Sequence, residues 1–306
     1  MGKKNQRQEI LVFADWLDIK EPMLMGRLYS EIVRGKEIFS FQYTNEWLNS
    51  KYAQIIDPDL QLYKGTQYLD DKKSNFGIFL DSSPDRWGRL LMRRREAVLA
   101  RLEKRPEKIL FESDYLLGVF DEYRMGGLRF KAIIDGPFLN DNREFATPPW
   151  TSLNELEQAS LKIESDDIID DPEYLKWLNM LIAPGSSLGG ARPKASICDE
   201  SNNLWIAKFP SISDEKDIGG WEIVVHDLAV ESGLNVADAM VEKYSNKYHT
   251  FLTKRFDRIT RKKRIHFASA MTMLGYTDGT DFHEGVSYLE LAEFLVTNGA
   301  KVNCDL

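Results

Sequence analysis

With 306 residues, 43% of them hydrophobic and 29% charged, the chain is long enough for about two domains and too rich in Phe, Tyr and Trp to stay disordered. A formal net charge of −8 argues against a generally basic, phosphate-coating surface, although residues 258–264 form a local basic run suited to an anion or to a solvated turn. No segment reaches the roughly 20 apolar residues that span a bilayer, the charged N-terminus is not a signal peptide, and Cys198 and Cys304 form no metal or redox spacing, so a cytoplasmic protein without membrane contact is expected.

Short strands are expected first, at residues 10–13 and 38–43, where Phe39, Phe41 and Tyr43 alternate with polar partners at period two. Residues 84–104 then predict an Arg- and Leu-rich helix with Ser83 as N-cap and Pro84 in its first turn, stopped by Pro106. A second module starts near Ser113, with two apolar runs around the Gly126-Gly127 turn signal. Residues 152–160 predict a helix in which Ser152 and Glu155 make a capping box, and a further helix is expected at 173–181. Beyond it come strands at 194–198 and 204–209, a helix whose apolar Trp221, Val224, Val225 and Leu228 repeat at helical spacing up to Gly233, and an apolar strand running from His249 into a charged turn. Helices are predicted at 266–274 and 288–297. The fold class this predicts is α+β: an N-terminal α/β module at 1–108, a β-rich lobe at 109–258 and the start of a helical lobe at 259–306.

Chemistry gathers at Pro184-Gly185-Ser186-Ser187-Leu188-Gly189-Gly190-Ala191-Arg192-Pro193-Lys194. Glycines let successive backbone N–H groups turn toward phosphate oxygens, and serine hydroxyls add donors; the same composition also marks ordinary surface turns. Gly185 and Gly190 have the spacing of a Walker A loop, but Ala191 stands where its lysine belongs, and G-x-G-x-x-G is absent. The context favours phosphate, because the loop feeds a β-hairpin.

That hairpin ends in Trp205-Ile206-Ala207-Lys208, similar to the V-A-I-K pattern whose lysine grips the nucleotide phosphates. Lys208 shares a strand face with Leu204 and Ile206, where an ammonium either meets an anion or snorkels to water. A glutamate on the following helix holds such a lysine in kinases, and Glu222 is the first candidate, with Asp227 and Glu231 on the same helix. Phe251 and Thr253, on the next strand, are placed to face an adenine, whereas Arg255 and Asp257 suit structural ion pairs.

The stretch 186–194, the Lys208 strand, Arg255-Phe256-Asp257-Arg258, the upstream Phe39-Ser40-Phe41-Gln42-Tyr43 with Trp47-Leu48, and Pro84-Asp85-Arg86 together resemble the HipA-like kinases of bacterial toxin–antitoxin systems, over nearly the whole chain. The resemblance implies an ATP- and Mg²⁺-dependent protein serine/threonine kinase with aminoacyl-tRNA synthetases among its targets. It implies neutralisation by a helix-turn-helix antitoxin, with DNA reached only through that partner. Nucleotide binding would fall on Ser186, Ser187, Gly189, Gly190, Ala191, Lys194 and Lys208, and inhibitory autophosphorylation on Ser187. The family's catalytic and metal-holding loop begins with a histidine, and none of His226, His249, His266 or His283 begins one here. The sequence thus resembles a family member lacking its C-terminal catalytic part, with Mg²⁺ held only once that part or a second polypeptide completes the kinase. A non-catalytic module that binds nucleotide or antitoxin is the competing expectation, and a protein whose loop binds nothing is the third.

Overall fold

The computed structural model describes residues 7–143, 150–165, 173–182, 190–260 and 262–305. Five strands, β1 (Gln8–Ala14), β2 (Met23–Val33), β3 (Lys36–Tyr43), β4 (Thr66–Tyr68) and β5 (Leu128–Lys131), form one sheet in the order β4-β3-β2-β1-β5 with antiparallel pairing throughout. The alternation at Phe39, Phe41 and Tyr43 faces its apolar side into a core with Ile10, Val12, Phe76, Phe79 and Phe130. β2 is a strand the period-two pattern did not announce. Gly26 interrupts its apolar run because a Cβ there would stand 2.3 Å from the Phe41 ring and 2.6 Å from the Gln42 carbonyl, so only glycine lets the two strands meet.

Between these strands lie the short helices α1 (Asn45–Leu48) and α2 (Gly77–Asp81), then α3 (Arg86–Leu102) and α4 (Glu112–Gly118). The cap of α3 is Asp85, not Ser83. Asp85 is extended and its side chain accepts from the Gly88 amide at 2.8 Å, while the Ser83 hydroxyl donates to Phe79 O and so closes α2. The first sheet takes its fifth strand from beyond residue 108, and α3 sends Trp87 and Leu91 into the second core, so chain segments on both sides of that position contribute to both halves.

Helices α5 (Leu153–Glu164) and α6 (Tyr174–Ile182) supply that second core with Leu156, Ile163, Trp177, Leu178 and Leu181. Each such side chain contributes about 1.5–3 kcal/mol by leaving water. No capping box forms on α5, because Ser152 ends a 3₁₀ turn at φ −91° and ψ 3°, outside the extended conformation a cap needs, and makes no side-chain cap bond. The helices cover a second antiparallel sheet of β6 (Lys194–Cys198), β7 (Leu204–Lys208), β8 (Ala239–Glu242) and β9 (Thr250–Lys254), in the order β6-β7-β9-β8. Between β7 and β8 runs α7 (Ile218–Glu231), and α8 (Ala270–Met273), α9 (Tyr288–Asn298) and α10 (Val302–Asp305) follow β9. The chain is therefore α+β, as its pattern predicts.

Two helical expectations meet a different outcome. The helix predicted over 266–274 shrinks to α8, because His266 stacks on Trp16 with ring centroids 4.6 Å apart and Phe267 meets Phe256 at 5.7 Å, which holds the preceding residues out of helical geometry. Helix α7 forms where its spacing predicts, yet its apolar Trp221, Val225 and Leu228 stay more than half exposed, and Gly219 is its one buried residue among those described. Among the described residues no helix is long and apolar enough to cross a membrane.

Candidate nucleotide site

Register places the candidate residues. Across the second sheet Lys194 pairs with Lys208 and Lys208 with Phe251, while Ser196 pairs with Ile206 and Ile206 with Thr253. Directly paired residues share a face, so these six side chains form two rows on one side of the sheet. Ala195, Ile197, Trp205, Ala207 and Leu252 fill the core on the other side. The hairpin turn is braced by its own side chains. Asn202 adopts the left-handed region at φ 61°, and the Asp199 carboxylate accepts from the Asn203 amide and from Trp205 Nε1.

Lys208 meets Glu222. Its ammonium donates to Glu222 Oε2 and stands 5.3 Å from the centroid of the Phe251 ring, with about one-third of the Lys208 side chain exposed to solvent. Of the three acids on α7, Asp227 instead contacts His226. Glu222 reaches the lysine because α7 begins hard against β9: a Cβ on Gly219 would lie 2.1 Å from His249 O, so glycine is required for this approach. Asp217 fixes the junction by capping Gly220 and accepting from the His249 amide and ring. Burial would raise its pKa, but these hydrogen bonds outweigh burial and hold the carboxyl below its ordinary value.

At the near end of the glycine-rich stretch, Gly190 and Ala191 are exposed, and Gly190 has φ +86°. Lys194 is not exposed with them. It is buried, and its Nζ lies 2.7 Å from Asp85 Oδ2 and 3.1 Å from Gly190 O. Burial lowers the lysine's pKa and raises that of Asp85, each opposed by the partner's charge. Arg192 is held by Asp214 through both of its terminal nitrogens. Ser186, Ser187 and Gly189 lie outside the described residues.

The Arg255-Phe256-Asp257-Arg258 stretch makes the structural ion pairs its composition suggests. Arg255 Nη2 and Arg258 Nη1 flank Asp257 Oδ2 at 2.7 and 2.5 Å, all three side chains being buried, and both arginines also donate to carbonyls in residues 122–126. Burial alone would raise Asp257, but Arg255 and Arg258 pull its pKa down to about 2. Two carboxylates with structural roles escaped the sequence reading. Asp85 lies 109 positions from Lys194, and Glu157, fully buried on α5, accepts from Ser245, Asn246 and Thr250. Only the Pro84-Asp85-Arg86 motif carried a hint of the first, and nothing local marks the second.

The donor set suits a polyphosphate nucleotide: an ammonium held by a carboxylate, an aromatic ring in the same row, and an exposed glycine at the start of the segment that leads into the neighbouring strand. Among the described residues no three His, Cys, Asp or Glu side chains come together to hold a metal ion. Residues 186–304 match the family model of the HipA-like C-terminal domain. This HipA-like segment, less than half of the chain, contains β6, β7, α7, β8 and β9 complete. Comparison with curated proteins finds no match.

Proposed function

We propose that the chain is the ATP-binding portion of a HipA-like protein serine/threonine kinase, the toxin component of a toxin–antitoxin pair. The observation that carries this reading is the contact of Lys208 with Glu222, on a sheet whose order of glycine-rich stretch, lysine strand and helix matches what phosphate gripping requires. Lys208 would hold the phosphates, the backbone of the exposed residues 190–191 would add donors, and Phe251 with Thr253 would face the adenine. When bound, ATP with Mg²⁺ supplies the transferable phosphoryl group. This chain's residues orient it, and Ser187 is the residue that would accept a phosphate to switch the loop. Calorimetric titration with ATP tests the assignment: Lys208→Ala is expected to weaken binding at least tenfold with the melting temperature unchanged, and an unchanged affinity would return Lys208 to a solvated strand-end lysine.

A second reading is a non-catalytic module that binds nucleotide and docks an antitoxin. The open apolar face of α7, carrying Trp221, Val225 and Leu228, favours it. Labelled ATP separates the two readings. Neither reading assigns a catalytic aspartate or a metal ligand among these residues, so no transfer by the chain by itself is expected under either. Transfer on adding a second polypeptide would support the kinase reading.

A further inference from the structure

The resemblance puts Lys194 among the nucleotide-binding residues, yet Lys194 is buried against Asp85, which comes from the far module. Its two oxygens do different things: Oδ1 accepts from the Gly88 amide and caps α3, and Oδ2 accepts from Lys194 Nζ at 2.7 Å. Lys194 in turn donates to the Gly190 carbonyl at 3.1 Å. Charge accounts for why the aspartate is needed. Lys194 and Lys208 are cross-strand partners on one face, and two adjacent ammonium groups repel unless each has its own anion; Glu222 serves Lys208 and Asp85 serves Lys194.

The consequence for Gly190 follows from peptide geometry. In a trans peptide the carbonyl of one residue and the N–H of the next point in opposite directions. With the Gly190 carbonyl drawn inward to Lys194, the Ala191 N–H is turned outward, on a residue that is exposed. Gly190 itself has a left-handed φ of +86°, a conformation that glycine adopts without strain.

We infer that Asp85 is a positioning residue of the nucleotide site: through Lys194 it sets the direction of the Gly190–Ala191 peptide and so presents the Ala191 N–H to a phosphate. Lys194 itself is then an internal anchor and not a phosphate ligand. The inference rests on the ATP-binding reading and goes further by making the N-terminal module part of that site. Arg86, the next residue, donates from Nε and Nη2 to Asp278 at 2.8 Å each, so one helix end touches both the loop and the C-terminal segment.

Asp85→Asn separates the two jobs of the side chain, since asparagine caps a helix as well as aspartate does but cannot neutralise Lys194. In the full chain this variant is expected to bind ATP roughly tenfold more weakly, within the usual range of coupling between two sites. Its backbone amides at residues 190–192 should exchange hydrogen faster without nucleotide. The double variant Asp85→Asn with Lys194→Met removes both buried charges, so its melting temperature should return toward wild type while ATP affinity stays weakened. Recovery of affinity together with stability, or unchanged exchange at 190–192, would show the pair to be a structural clamp only. Wild-type chain that binds no ATP overturns the nucleotide reading and this one with it, whereas binding equal in wild type and Asp85→Asn overturns this one alone.

Discussion

The Asp257 carboxylate accepts a hydrogen bond from the backbone amide of Gly126 at 2.9 Å, across 131 positions of sequence. Arg255 and Arg258 share the same carboxylate, so one acid pairs with two buried guanidinium groups and fastens β9 to the segment that leads into β5. Removing one partner of a buried ion pair strands the remaining charge, at about 3–5 kcal/mol. Asp257→Asn is therefore expected to lower the unfolding free energy by that order in urea denaturation. Asp278→Asn, which removes the solvent-exposed pair with Arg86, should leave the urea midpoint where it is. Equal effects of the two substitutions would refute the buried-lock account.

Glu157 offers a second test of the same kind. This buried carboxylate takes the Ser245 and Asn246 amides and the Ser245 hydroxyl on one oxygen and the Thr250 hydroxyl at 2.6 Å on the other, which ties α5 to the turn before β9. Glutamine matches its shape but presents an NH₂ where an acceptor is needed. Glu157→Gln should cost about 1–3 kcal/mol in stability, the range for leaving buried donors without a partner. Thr250→Val, which removes only one of these bonds, should cost less. A larger loss for the threonine variant would point to packing at Thr250 as the stabilising element.

Local signals carried much of the candidate site. The β6–β7 hairpin and α7 were legible because strand alternation, a polar turn at 199–203 and a helical repeat ending at Gly233 are each contained within a few residues. Glu222 could be named first among three acids by position, and the contact with Lys208 distinguishes it from Asp227 and Glu231. What stayed hidden depends on partners distant in sequence. Neither the strand at Met23–Val33 nor the Asp85–Lys194 pair has a local signature, because each is fixed by contacts with residues elsewhere in the chain: Gly26 with the Phe41 ring, and Lys194 with Asp85. The apolar spacing of α7 identified the helix correctly but not its exposure, since periodicity reports a face and not what covers it.

His266 provides the pH dependence. Its ring stacks on Trp16, and both ring nitrogens are buried without a hydrogen-bond partner among the described residues. Burial pushes its pKa down to about 4, against about 6.5 for an exposed histidine. The folded chain thus keeps His266 neutral while the unfolded chain protonates it, and between those two values the unfolded state binds more protons. Stability must therefore rise with pH across that window, be complete above about 6.5 and be lost as pH falls toward about 4. At pH 5 the loss from this one group is about 2 kcal/mol. His266→Phe retains a ring to stack on Trp16 and has nothing to protonate, so it isolates the contribution from that of every other titrating group. Urea midpoints of wild type and His266→Phe at pH 7.5 and pH 5 should show the wild type losing more stability on acidification, and parallel losses would mean that His266 is protonated without penalty in the fold.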